Sequence, residues 1–335
     1  MDTARYDYHL PKDLIARYPV ERGTERLLIL ERDTGKISYR QFEDLISYLH
    51  TGDLLVLNDT RVIPARLIGR KETGGTVEVL LLKKLDEARW QCLIKASKTP
   101  KNRTILFFAG DLTATVENSA GDAFIVSFSD PDRVLMAGTV PLPPYLEREP
   151  EEADSYSYQT VYARYDGSVA SPTAGLHFTG GFLKKIESVG VELVFVTLHV
   201  GLGTFTPVRT QTVEEHTMHL EEYSVTQEAA LSINEAKGKG RRIVAVGTTT
   251  TRVLEHLMHS HGMIVPGEGS TDLFIYNGYD FKCTGTLLTN FHLPCSTLLM
   301  LVSAFGGYEL VMRAYSEAID RRFRFFSYGD AMLII

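Results

Sequence analysis

The sequence predicts an α/β fold: a mainly parallel sheet domain built from both ends of the chain, with a small all-β barrel domain inserted. Three observations carry this expectation. Apolar runs alternate with helical periods near both termini; residues 62–150 change to closely spaced strand signals with no helical period; and a Pro- and Glu-rich connector, PLPPYLEREPEEADSYSYQ (141–159), ends that region. The expected domains are 1–61 plus 151–335, and the insertion 62–150.

In chain order, RLLIL (26–30), KISYR (36–40) and DLLVLND (53–59) read as strands, and FEDLISYL (42–49) as an amphipathic helix. ARLIGRK, TVEVLLLKKL, RWQCLIKAS, TILFFAG, DLTATVEN and DAFIVSFS then follow with turn residues between them, as in a small barrel or sandwich. Proline lacks an N–H donor and fixes φ, so the connector resists sheet and helix alike. Beyond it come a helix near 180–190, the strand VELVFVTLHV (191–200), a helix over 226–239, the strand RRIVAVG (241–247) and a helix over 249–260. The apolar segments TDLFIY and LLTNFHL, two C-terminal helices and a final AMLII complete an alternation that favours parallel strands covered on both faces.

With 335 residues, 44% hydrophobic and 23% charged, the chain belongs to the folded globular class and has ample sequence for a core. The charged N-terminal stretch lacks an apolar h-region, and LLMLVSAF (298–305) is too short to span a bilayer, so neither export nor a membrane is expected. Cys92, Cys283 and Cys295 are odd in number and form no CxxC pair, which argues against a disulfide framework and a zinc site and favours a reducing cytoplasm. Net charge is −7, so the chain as a whole lacks the basic footprint of a nucleic-acid binder. Segment 83–103 nevertheless holds 7 Lys and Arg against 2 Asp and Glu, which suits either phosphate contacts or a solvated strand face.

Chemistry concentrates where predicted strands end in Gly, Thr and His, the edge at which α/β sheets place their sites. SVASPTAGLHFT (168–179) follows neither strand nor helix period and crowds Ser171, Thr173, Gly175 and His177 together. In VTLHVGLGTFTPVR (196–209), Gly201 and Gly203 permit close backbone approach to a ligand beside His199 and Thr204. It is not a GxGxxG fingerprint, so no dinucleotide is implied. IVAVGTTTTRVLEHL (243–257) opens a helix whose first-turn N–H groups, from Thr248 on, favour an anion; Arg252 either completes a carboxylate clamp or pairs with Glu255 on the surface.

EEHTMHLEEY (214–223) spaces His216 and His219 three apart, one face if helical, without a local third metal ligand. TNFHLPCSTLL (289–299) ends a strand at Asn290 and His292 and starts a helix capped by Ser296; Cys295 there is either a low-pKa thiol or a packed one. LVLNDTRVIPARL (55–67) leaves a buried strand at Asp59 and Arg61, at the edge of the insertion, where turn chemistry alone accounts for the residues unless a site lies between the domains. His177, His199, His219 and His292, each after a separate strand-like segment, point to one composite cleft for a polar ligand.

In combination, YDYHLP (6–11), GDLLVLNDTRVIPARL (52–67), PLPPYL (141–146), YQTVYA (158–163), PTAGLHFT (172–179), LHVGLGTF (198–205), HTMHLE (216–221), VGTTTTRVLE (246–255), TDLFIY (271–276), TNFHLP (289–294) and STLLMLVSAFGG (296–307) resemble the S-adenosylmethionine:tRNA ribosyltransferase-isomerases of queuosine biosynthesis. The resemblance covers nearly the whole chain and implies an α/β domain with an inserted barrel. It implies that S-adenosylmethionine is the ribosyl donor and that the acceptor is 7-aminomethyl-7-deazaguanine at the wobble position of a tRNA anticodon stem-loop. Epoxyqueuosine-tRNA, adenine and methionine are then the products, with no metal or prosthetic group, and a monomer is expected.

Such a reaction needs a base for the C5′ hydrogen beside the sulfonium, a proton for departing adenine and a neutral attacking amine. Histidines can serve these steps, which makes His177 and His199 the leading acid/base candidates, with His219 and His292 shaping or protonating leaving groups. Thr248 to Arg252 would take the methionine carboxylate and Asp272 a ribose hydroxyl or the amino group. Asp59, Arg61, Thr173, Gly175, Gly201, Gly203, Thr204 and Asn290 complete the expected substrate site. Lys95, Lys98, Lys101 and Arg103 are expected on tRNA phosphate. The chain departs from the family pattern at Ser171, Asn277 and Cys295, where Ala, Pro and a basic residue are usual. A methyltransferase using the same donor on tRNA, and a non-catalytic tRNA-binding protein, are the alternatives.

Overall fold

The computed structural model describes residues 1–120, 123–201 and 207–335. Its strands are β1 (Arg26–Leu30), β2 (Ile37–Gln41), β3 (Leu54–Asn58), β4 (Thr60–Val62), β5 (Arg66–Lys71), β6 (Thr76–Lys84), β7 (Arg89–Ala96), β8 (Ile105–Phe107) and β9 (Thr113–Ala120). They continue with β10 (Ala123–Phe128), β11 (Tyr165–Ser168), β12 (Glu192–Leu198), β13 (Glu221–Val225), β14 (Ile243–Val246), β15 (Gly267–Thr271), β16 (Thr286–Asn290) and β17 (Ala331–Ile334). The α-helices are α1 (Asp154–Ser157), α2 (Gly180–Ser188), α3 (Gln227–Gly238), α4 (Thr248–His261), α5 (Thr297–Gly306) and α6 (Tyr308–Asp320).

Strands β10, β7, β6, β5, β8 and β9 close a barrel in that order. Alternation builds it: along β6 and β10 every second side chain is buried, and Leu67, Val77, Val79, Leu81, Leu106 and Val126 fill the interior. The second sheet has nine strands in the order β15-β13-β12-β3-β14-β16-β17-β1-β2. It is mixed. Helix–strand alternation predicts parallel pairing, and β12, β3, β14 and β16 have it; β13, β15, β17 and β2 each add antiparallel neighbours, which need no helical crossover.

Every residue of β3, β14 and β16 is buried, since both sheet faces are covered. Leu54, Val56, Ile243, Ala245 and Leu287 face the side packed by α3 to α6; Leu55, Leu57, Val244, Val246 and Leu288 face Phe42, Phe178, Phe182 and Ile186 on the other. FEDLISY forms a 3-10 helix rather than an α-helix. The connector is pinned by Asp154, which is 2% exposed and accepts from Arg148, from the Glu151 N–H and from the Tyr328 hydroxyl. Its aromatic Tyr158 and Leu146 pack with Val62 and Tyr328 between the sheet and the barrel. Among the described residues no single helix is long and apolar enough to cross a membrane.

Candidate active site

Strands β3, β12, β14 and β16 run in one direction, so Asn58, Leu198, Val246 and Asn290 end at one edge of the sheet. Asn58 ties that edge together. Its amide donates to Leu198 O at 3.0 Å and to Thr249 at 3.3 Å, while its Oδ1 accepts the Thr60 and Leu198 N–H groups. Beside it lies a cavity lined by three stretches singled out in the sequence: Ser171 to Ala174, Gly247 to Thr249, and Thr289 to Leu293. Tyr145, Phe326 and Ser327 close its other wall.

Gly247, with φ 90° and ψ 155°, turns the chain from β14 directly into α4, a backbone shape that a side chain resists. Among the described residues no side chain caps this helix, and its start at Gly247, Thr248 and Thr249 lines the cavity, with Thr248 5% exposed. That is an anion-binding arrangement. Arg252 does not extend it. The guanidinium is 3% exposed, paired with Glu221 and bonded to Leu273 O at 3.1 Å. Nor does Arg252 pair with Glu255: α4 is a buried helix, and Glu255 accepts the N–H groups of Lys282, Cys283 and Thr284.

His292 lines the cavity, shares a 2.8 Å hydrogen bond with Thr289, and is 7% exposed. Burial pushes its imidazole down to about 3, so near neutral pH it is uncharged. His199 lies at the end of β12, half-buried, with Nδ1 at 2.8 Å from the Thr60 hydroxyl and its ring flat over Gly167. Burial lowers its pKa, opposed by the carboxylates of Glu222, Asp166 and Glu268. His177 is 1% exposed and sits behind Asn290, its Nε2 3.3 Å from Asn290 Oδ1, outside the cavity wall. His219 is exposed on a loop before β13, not a helix face shared with His216.

Of the other expected site residues, Thr173 and Asn290 line the cavity. Asp59 is 3% exposed, accepts from Thr197 at 2.7 Å, and has its pKa raised by burial. Gly175 serves packing: a Cβ there would run into Tyr162 Oη and lie 2.8 Å from Thr160 Cγ2. The Gly201 N–H donates to Glu221 at 3.0 Å. Asp272 is exposed just after β15, and Gly203 and Thr204 lie outside the described residues. Arg61 is half-exposed, donating to Ala163 O at 2.9 Å and lying 3.8 Å from Asp166. Lys95, Lys98, Lys101 and Arg103 are all exposed on β7 and the loop that follows it. Cys295 is a packed thiol whose pKa burial raises, 3.7 Å from Thr3 O.

Sequence reasoning assigns Glu25, Phe326 and Ser327 no role, and includes Tyr145 only as part of PLPPYL; only the fold brings them to the cavity or to His177. Ser171 is 3% exposed, and among the described residues its hydroxyl has no hydrogen-bond partner although it borders the cavity.

An α/β sheet whose parallel strand ends, helix N-terminus and one buried histidine, His292, border one cavity, in a chain that also carries an inserted β-barrel, defines a ligand-binding protein of the enzyme type. A family model described as queuosine biosynthesis protein matches residues 3–334, and the chain belongs to that family. It is 51% identical to the S-adenosylmethionine:tRNA ribosyltransferase-isomerase of Geotalea uraniireducens and 52% identical to that of Citrifermentans bemidjiense, each alignment covering 100% of both chains. The crystal structure of S-adenosylmethionine tRNA ribosyltransferase from Thermotoga maritima is similar over 99% of this chain and 100% of that one, with 39% identity and a TM-score of 0.58.

Proposed function

We propose that this chain transfers the ribosyl moiety of S-adenosylmethionine to 7-aminomethyl-7-deazaguanine in tRNA and isomerises it, releasing adenine and methionine and leaving epoxyqueuosine. The observation that carries this reading is the full-length identity of about half to relatives named for that activity. The cavity supports it chemically. The uncapped start of α4 would take the methionine carboxylate, as an N-terminal dipole stabilises an anion without a paired cation. Thr173 and Thr248 offer hydroxyls to the donor's polar groups.

Proton transfer falls to different histidines than burial allows for all four. His199 is the base: Thr60 engages Nδ1 and leaves Nε2 for a proton from C5′, and burial keeps the ring neutral. His292, uncharged, acts as a hydrogen-bonding group of the wall rather than as a cationic acid. The anticodon stem-loop approaches over the barrel, where exposed Lys95, Lys98, Lys101 and Arg103 meet phosphates and a net negative protein needs only a local patch. Donor labelled in the ribose should deliver label to precursor-bearing tRNA, and donor labelled in the methyl group should not. Methyl label in the tRNA would establish methyl transfer instead.

A further inference from the structure

We propose that His177 is a positioning residue: packed on Phe42 beside Glu25, it fixes Asn290, and Asn290 clamps the Phe326–Ser327 turn that forms one wall of the cavity. The proposal rests on reading that cavity as the donor site.

The hydrogen bonds define the direction of the clamp. Asn290 Nδ2 donates to Phe326 O at 3.0 Å and to Ser327 O at 3.5 Å, which orients the amide and leaves Oδ1 as an acceptor. His177 Nε2, 3.3 Å away, therefore carries the proton it donates to Oδ1. The ring is 1% exposed and packs on Phe42 at 4.9 Å between centroids; Nδ1 lies 3.3 Å from Glu25 Oε1 with no hydrogen bond among the described residues. Glu25 is itself 7% exposed and anchored by the Gly23 N–H at 2.8 Å.

What the clamp holds is a strained turn. Phe326 has φ 71°, a conformation that a bulky aromatic residue adopts only when its surroundings impose it. The imposition has a purpose in the wall: it packs the Phe326 ring against Tyr145, tilted by 51° at 4.6 Å between centroids, and brings Ser327 Oγ to 2.5 Å from Tyr145 Oη. Phe326, Ser327 and Tyr145 all line the cavity, whereas His177 does not. Ser327 also borders a second, small cavity with Glu25 and His177, so one turn separates the two spaces.

The test compares kcat and KM for S-adenosylmethionine, with adenine release as the readout, in His177→Gln, His177→Phe, Asn290→Ala and the double variant His177→Phe/Asn290→Ala. Glutamine keeps a donor near Nε2 but cannot exchange a proton near neutral pH. A positioning role predicts His177→Gln within about threefold of wild type, His177→Phe at least about tenfold lower in kcat/KM, and a double variant no worse than Asn290→Ala. A folded His177→Gln as impaired as His177→Phe, or full additivity in the double variant, would overturn it. If His177→Phe fails to fold, His177→Gln alone decides. A wild-type protein that releases no adenine overturns the functional reading instead.

Discussion

Arg252 on α4 and Glu221 at the start of β13 meet as a buried ion pair, their side chains 3% and 4% exposed. Glu221 also accepts the Gly201 N–H, so the pair fastens α4, β13 and the strand end at His199 to one another. Removing one partner leaves the other charge stranded in the interior. Arg252→Met is expected to lose about 3–5 kcal/mol of stability in urea denaturation. Unchanged stability with a tenfold rise in KM for S-adenosylmethionine would instead make Arg252 the carboxylate clamp.

His292 sets a pH dependence of stability. Its pKa is about 3 folded against about 6.5 unfolded, so the unfolded chain binds the proton first as pH falls. The contribution is complete above the unfolded value and is lost as pH drops from there toward the folded one. Between pH 7 and 5 the wild type should lose about 2 kcal/mol more than His292→Phe. Equal losses in the two proteins would contradict the buried, neutral imidazole.

Gly175 is a packing requirement with a named partner. Gly175→Ala is expected to cost about 1–3 kcal/mol, because its Cβ meets the buried, unpartnered Tyr162 hydroxyl. Adding Tyr162→Phe should restore most of that stability. No restoration would place the strain elsewhere.

Ser171 carries a buried hydroxyl with no hydrogen-bond partner among the described residues. Ser171→Ala should leave the melting temperature unchanged or raised, while KM for S-adenosylmethionine rises about threefold to tenfold, the loss of one hydrogen bond worth about 1 kcal/mol. An unchanged KM would exclude contact between this hydroxyl and the donor.

Lys95, Lys98 and Lys101 test the barrel as the RNA-facing surface. Reversing all three to Glu should weaken tRNA affinity and flatten its dependence on salt, with each lost phosphate contact lowering the slope by about one. Unchanged affinity and slope would move the tRNA to another face.

The barrel was legible because its strands alternate, and the central strands because covering both sheet faces removes alternation from LLVLN and IVAV. Parts of PTAGLHFT, VGTTTT and TNFHLP line one cavity, but of the four histidines expected in one composite cleft only His292 lines it. Depth was not legible. His177 and His292 sit in similar Gly-, Thr- and Pro-bearing stretches, yet only the fold puts one behind Asn290 and the other in the wall. Arg252 looked available because its partner, 31 positions earlier, arrives through β13 rather than along the helix. Phe326 and Glu25 carry no local motif, because a strained turn or a single buried carboxylate has no periodicity.

The most direct test is the fate of the adenine. Protein incubated with S-adenosylmethionine and tRNA bearing 7-aminomethyl-7-deazaguanine should release adenine and methionine in equal amounts, matched to the precursor base consumed. S-adenosylhomocysteine in place of adenine, or neither product with the tRNA bound, would contradict ribosyl transfer.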